Sequence, residues 1–238
     1  MSTLAGKVAI VTGAGRGIGR SIALRFAAAG IRVAALARTA GELEETARLA
    51  AKGSILPLPA DVSSADSLRR AVAAARERLG PIDLLVNNAG VYLQKPFMET
   101  RAEEWTNLYQ INVLGAVLCA QEILPEMLRR KSGRIIFVCS SASHRGYPNQ
   151  SAYVASKHAL LGITKVLAEE TRGSGVRVHA LSPGGVNTGL IAGRKDINPA
   201  EYMDPEDVAS LALFLAGMDG TGVIDEVVIR RAGADPFR

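Results

Sequence analysis

Residues 8–19 read VAIVTGAGRGIG, an apolar run that breaks into glycines and continues as an amphipathic window over 17–29. The opening segment is short and rich in Val and Ile, which is the composition of a strand covered on both faces. A strand that ends in glycine and passes directly into a helix is the setting that a dinucleotide-binding turn requires. In such a turn Gly13 permits the tight bend, Gly17 lets the backbone approach a pyrophosphate, and Gly19 lets the helix pack close to the sheet. Gly15, Arg16 and Ile18 complete it, and the helix N-terminus would face the anion. The strict Gly-x-Gly-x-x-Gly spacing is absent, because Ile18 and Arg20 stand where it needs glycine; the residues after Thr12 spell Gly-x-x-x-Gly-x-Gly instead. A plain strand-to-helix connection also uses glycine, so the turn alone leaves both readings open.

The same alternation runs outward from this stretch. Strand-like runs fall at 7–11, 32–37, 54–59, 84–87, 134–139, 177–181 and 223–229, and helical windows at 17–29, 41–51, 65–79, 101–130, 152–173 and 205–216. Strands that alternate with helices call for a parallel sheet with crossover helices, so the predicted fold is α/β, a doubly wound sheet of about seven strands with helices on both faces. The 238 residues suit one domain over 1–238, carrying both cofactor and substrate sites. Between 184 and 203 the periodicity disappears, which predicts a mobile lid over a site.

Composition narrows the function classes. Hydrophobic residues make up 48% of the chain, and no Pro/Ser-rich or charge-blocked stretch suggests a linker or disordered tail. The N-terminus lacks the pattern of a signal peptide and no window holds roughly 18 uninterrupted apolar residues, so a cytoplasmic protein without a membrane span is expected. The 28 basic and 23 acidic residues leave a net charge of +5 that is dispersed along the chain, which argues against a nucleic-acid partner. Cys119 and Cys139 share no Cys-x-x-Cys spacing, His144, His158 and His179 have no acidic neighbour at ligand spacing, and no metal site is expected.

Nucleotide preference is read at the end of the second strand, where a carboxylate would accept from the ribose hydroxyls and repel an added phosphate. That end reads Ala37-Arg38-Thr39, without an acid. Arg38 can pair with a 2′-phosphate and Arg16 can approach the same group, so NADP(H) is favoured and NAD(H) remains possible.

Chemistry is suggested by Tyr153-Val154-Ala155-Ser156-Lys157, because an i, i+4 spacing on a helix puts both side chains on one face. A phenol with an ordinary pKa of roughly 10 beside an ammonium is expected to shift toward the phenolate and to exchange a proton with an alcohol. Ser140 and Ser141 follow the fifth strand, and either hydroxyl could bind a substrate oxygen.

These motifs stand in an order that resembles the short-chain dehydrogenase/reductase family, over about residues 4–188: Thr12 with its glycines, Asn87-Asn88-Ala89-Gly90, Tyr153-x-x-x-Lys157, and Ser182-Pro183-Gly184-Gly185-Val186-Asn187-Thr188. The resemblance implies a Rossmann-fold oxidoreductase that interconverts a carbonyl and a secondary alcohol, a 3-oxoacyl thioester reductase being one kind of member. It assigns the catalytic serine to Ser140 and completes a tetrad of Asn112, Ser140, Tyr153 and Lys157, in which Asn112 helps hold a water near the lysine. It places Asn88, Ala89 and Gly90 along the adenosine-ribose side and Asp61 with Val62 against the adenine. Pro183, Gly184, Val186 and Thr188 would line the nicotinamide, Thr188 and the Val186 backbone holding its carboxamide. Helices around 101–121 and 152–171 resemble those that pair subunits in the family, so a homodimer or homotetramer is expected. The chain departs from common members at its end, where Val227-Val228-Ile229-Arg230-Arg231 replaces a small, glycine-rich finish. Tyr92, Leu93, His144, Arg145, Tyr147, Gly184 and Leu190 are the expected pocket for a small-molecule substrate. Rival readings are a nucleotide-binding regulatory protein without turnover, and an epimerase or dehydratase of the related longer-chain proteins.

Overall fold

A computed structural model describes residues 4–189, 198 and 201–235. The chain begins with β1 (Val8–Thr12), α1 (Gly17–Ala28), β2 (Arg32–Ala37), α2 (Ala40–Arg48), β3 (Ile55–Pro59), α3 (Ala65–Leu79) and β4 (Leu84–Asn87). It continues with α4 (Ala102–Tyr109), a π-turn (Gln110–Leu114), α5 (Gly115–Arg130), β5 (Gly133–Val138), α6 (Ser151–Glu170), β6 (Val176–Pro183), α7 (Pro205–Ala216) and β7 (Glu226–Ile229). The seven strands form one parallel sheet in the order β3-β2-β1-β4-β5-β6-β7. The order reverses between β1 and β4, so the crevice at their C-terminal ends is where a doubly wound sheet takes its ligand.

All five residues of β1 are buried, as a central strand with helices on both faces demands. One core cluster packs α3, α5 and α6 under the sheet through Leu68, Val72, Ile123, Met127, Phe137 and Leu160. The other packs α1 and α7 on the opposite face through Ile22, Phe26, Val86, Val208 and Leu215. Every strand and helix predicted from periodicity is present within three residues at each end, the widest differences being the last strand, which starts at Glu226 rather than at 223, and α2 and α6, which end at Arg48 and Glu170 rather than at 51 and 173.

The predicted helix 101–130 is divided: α4 and α5 are joined by a π-turn that carries Asn112. This run is long and apolar enough to cross a membrane by length and composition, yet half of its most apolar window is buried inside the fold. Arg76 of α3 also binds the Glu122 carbonyl of α5 at 2.7 Å and the Glu126 carboxylate at 2.9 Å, fastening this helix to its neighbour. Half of the proposed lid, Leu190 included, lies outside the described residues.

Candidate active site

The glycine turn is held by long-range polar contacts. Thr12 Oγ1 at the end of β1 accepts the amides of Asn88 and Ala89, each at 3.0 Å, and Asn88 Nδ2 donates back to the Thr12 carbonyl at 2.9 Å. A Cβ on Gly13 would sit 2.9 Å from Ala89 Cα, and one on Gly19 would overlap the Gly13 carbonyl group and Asn88 Nδ2. On the other side Arg20 Nε donates to the Gly15 carbonyl at 2.9 Å and to Thr46 Oγ1 at 3.1 Å, and the buried Thr46 hydroxyl lies 3.0 Å from the Ala14 carbonyl. The turn is thus clamped between β4 and α2, a role for Thr12, Arg20 and Thr46 that no local spacing signals.

Gly17 opens α1 at φ +55°, a left-handed conformation that glycine takes without strain. Arg16 in the N-cap position makes no side-chain cap and the first turn of α1 holds no acid, so its amides are available to an anion. A cavity of about 970 Å³ extends from this turn along the C-terminal edge of the sheet. Every residue assigned to cofactor or catalysis from sequence lines it except Gly19, which packs beneath the turn, and Asn112.

At the nucleotide end Arg16 and Arg38 both reach the cavity, and among the described residues neither takes part in an ion pair. Asp61 is held below the usual carboxylate range by hydrogen bonds from the Ser63 side chain and amide, with a smaller contribution from the Arg38 charge. The structure adds a residue that the strand-end reading missed. Glu42, in the first turn of α2, lines the same end, and a Cβ on Gly15 would lie 2.9 Å from its Oε2 and 3.4 Å from Ala37 Cβ. The helix therefore brings a carboxylate back to the end of β2, where the sequence has none.

At the other end Tyr153 is buried against Tyr92, ring centres 5.0 Å apart and edge to face. Its hydroxyl is close enough to Ser140 for that side chain to favour its ionisation, and Ser140 Oγ accepts the Ala142 amide at 3.1 Å. Ser141, the competing serine, lies 3.0 Å from the Tyr147 hydroxyl instead. Lys157 is buried one turn after Tyr153; its Nζ is 5.9 Å from the Tyr153 ring centre and donates to the Val138 carbonyl at 2.9 Å.

The expected lowering of the phenol pKa is not found here. Burial pushes Tyr153 up to about 12, the Ser140 side chain opposing it, and burial also lowers Lys157 from its ordinary value. The reason is that removing water costs the phenolate more than the neighbouring groups return. In this structure the phenol is an acid that retains its proton.

Asn112 does not line the cavity. Its Oδ1 accepts the Val91 amide at 2.7 Å, while Nδ2 donates to the Val91 carbonyl at 2.9 Å and to Ser156 Oγ at 3.0 Å. The side chain pins the segment after β4 to α6, between Tyr153 and Lys157. The turn after β6 is held by a bridge in which the Asn187 amide donates to the Met203 carbonyl at 2.9 Å and the Met203 amide to the Gly185 carbonyl at 3.1 Å. That pattern leaves the amide and carbonyl of Val186 directed away from Met203. Thr188 comes over the glycine turn, 3.2 Å from where a Gly17 Cβ would be. Of the expected substrate pocket, Tyr92, His144, Arg145, Tyr147 and Gly184 line the cavity; Leu93 instead packs in a small cluster with Leu108, Ala142 and Tyr153.

A family model described as short chain dehydrogenase matches residues 7–198. The chain belongs to the short-chain dehydrogenase family. A 2-(R)-hydroxypropyl-CoM dehydrogenase of Xanthobacter autotrophicus is 39% identical over 234 residues, covering 91% of this chain and 94% of that dehydrogenase. A 3-oxoacyl-[acyl-carrier-protein] reductase of Synechocystis sp. is 35% identical over 225 residues, with 91% of each chain covered. Among solved structures, a metagenomic short-chain oxidoreductase in complex with NADP superposes with a TM-score of 0.85 at 33% identity, over 96% of this chain and 99% of that one.

Proposed function

We propose that this chain is an NADP(H)-preferring oxidoreductase, NAD(H) being accepted less well, that interconverts a carbonyl and a secondary alcohol within one domain. The observation that carries the reading is the buried Tyr153 phenol, beside Ser140 and one helical turn from Lys157, at the far end of a cavity floored by an uncapped helix N-terminus. The residues present fit a dinucleotide: a side chain on Gly13 or Gly19 would overlap its neighbours, Gly17 takes a conformation that disfavours one, and two arginines without ion-pair partners among the described residues flank the adenosine end.

A bound nicotinamide would supply hydride to the carbonyl carbon or take it from the alcohol. Tyr153, protonated in the coenzyme-free protein, gives its proton to the substrate oxygen in reduction and recovers it in oxidation. Ser140 donates to the same oxygen and polarises it, and the Lys157 ammonium, at present on the Val138 carbonyl, is placed to stabilise the phenolate left behind. Asn112 acts on this set by positioning α6. The Val186 amide and carbonyl, with Thr188, hold the carboxamide, and Asp61 with Val62 borders the adenine. A 3-oxoacyl thioester is a substrate of the right class, since the Synechocystis relative is a reductase of that kind. Exposed Tyr109, Leu114 and Val166 on α4, the π-turn and α6 support assembly as a homodimer or homotetramer, and a cytoplasmic location accords with this chemistry.

Two substitutions test the reading against a panel of ketones and 3-oxoacyl esters. Tyr153→Phe is expected to bind NADPH with unchanged affinity and to lose turnover by roughly 10²–10⁴-fold, the usual contribution of a positioned acid. Arg38→Asp is expected to weaken NADPH by at least about tenfold more than NADH. Turnover by Tyr153→Phe close to that of the parent protein would refute the catalytic assignment.

A further inference from the structure

We infer that the substrate side of the cavity holds a compact oxyanion carried by the carbonyl compound, a carboxylate, sulfonate or phosphate, with Arg145 and Arg231 as its cationic contacts. The inference rests on the carbonyl–alcohol reading above and narrows its substrate.

Arg145 stands on the segment between β5 and α6, five residues after Ser140, and reaches the cavity wall. Its Nε donates to the Tyr147 hydroxyl at 2.8 Å and its Cζ lies 4.7 Å from the centre of that ring. Tyr147 in turn is 3.0 Å from Ser141 Oγ and close enough to Tyr153 to affect its ionisation. The guanidinium is therefore held at the cavity wall by an uncharged partner that also touches the serine next to Ser140, and no carboxylate among the described residues pairs with it. Its neighbour His144 is matched by Glu226 at 2.7 Å, which also accepts the Ser182 hydroxyl at 2.6 Å, so that acid is already occupied.

Arg231 also lines the cavity, from the Arg-rich end that departs from the family's usual finish. The Gly184 amide donates to the Ile229 carbonyl at 2.8 Å, which ties that end to the turn after β6. Arg231 Cζ lies 5.2 Å from the centre of the Tyr202 ring, and that ring occupies the space a Gly185 side chain would need. Its one ion pair among the described residues, with the exposed Glu201, is long at 3.7 Å. Arg230 spends its Nη1 on three carbonyls of the tail and is left out of the assignment. A guanidinium stacked on a phenol keeps its N–H edge for a planar or tetrahedral oxyanion, so two such groups on the lining of one cavity offer charge-assisted donors to an oxyanion that the substrate carries. The tail contributes one carboxylate to this part of the wall, Asp235, which has a contact of its own.

The test compares levulinate, its sulfonate and phosphonate isosteres, and methyl levulinate, which has the same ketone without the charge. kcat/KM for at least one of the three anions is expected to exceed that for the ester by about tenfold or more, and the best anion identifies which oxyanion the site takes. Arg145→Gln and Arg231→Gln are each expected to reduce that advantage by about tenfold, through KM. Equal use of ester and anions, or variants that slow both alike, would overturn the inference while turnover of the ester upholds the oxidoreductase reading. Thermal melting with each compound, with and without NADP⁺, reads the subsite when no ketone is turned over. A rise in Tm with an anion, absent with the ester and lost in Arg145→Gln, supports it, and no difference between anions and ester defeats it. Failure of every ketone, charged or neutral, counts against the oxidoreductase reading alone.

Discussion

Replacing Gly19 by alanine tests whether the glycine turn is as tightly fitted as its geometry implies. An added Cβ lies 2.7 Å from the Gly13 carbonyl carbon and closer to its oxygen and to Asn88 Nδ2, so the turn or the Asn88 amide must retreat by about 1 Å to restore ordinary contact. Overpacking of a rigid site costs about 1–3 kcal/mol. Pulling Asn88 Nδ2 from the Thr12 carbonyl, now at 2.9 Å, strands a buried donor at about 1–3 kcal/mol more. A loss of about 2–6 kcal/mol in a chain of this length corresponds to a Tm lower by roughly 4–24 °C. Gly41→Ala is the matched control: it lies in α2 with no positive φ and nothing within 4 Å of its added Cβ, so alanine should stabilise by about 0.5–1 kcal/mol. Calorimetric melting of the coenzyme-free proteins separates the two. A Gly19→Ala protein that melts within about 2 °C of the parent, or a Gly41→Ala protein that loses as much as it does, refutes the reasoning.

Asn112→Asp keeps an acceptor for the Val91 amide but turns a second oxygen onto the Val91 carbonyl; a loss of about 1–3 kcal/mol in thermal unfolding is expected, with a lower kcat and little change in coenzyme affinity. Burial lowers the pKa of His179, whose Nδ1 is 2.6 Å from the Ile224 carbonyl and whose Nε2 is buried without a partner. Its contribution to stability is full above the ordinary value of 6.5 and is lost as pH falls toward the lowered value, because the unfolded chain takes up the proton first. The difference in Tm between the parent and His179→Gln, measured from pH 8 downward, should therefore stay level to about pH 6.5 and then change in the variant's favour; a difference that never changes with pH contradicts this.

The resemblance to short-chain dehydrogenases was legible because its motifs are local. Glycines at fixed offsets, an i, i+4 pair and a Pro-Gly turn follow from backbone geometry over a few residues, and the alternation of strands and helices requires no knowledge of what they pack against. The assignment of Ser140 over Ser141, made by resemblance alone, coincides with the hydroxyl that meets Tyr153 in the structure. The π-turn within 101–130 was illegible, since its five residues continue the apolar pattern of a helix and the break depends on Asn112 reaching Val91 and Ser156.

By itself, then, the sequence specified the element order, the doubly wound class and the residue types of the candidate site. Tertiary structure alone decided the charge around them. Glu42 returns to a strand end that lacks an acid, Arg231 joins Arg145 on the lining of one cavity, and burial holds Tyr153 protonated although a lysine stands one turn away. Periodicity reports which face of a segment is apolar. Electrostatic energy depends on distance and on excluded water, and both are set by segments far apart in the chain.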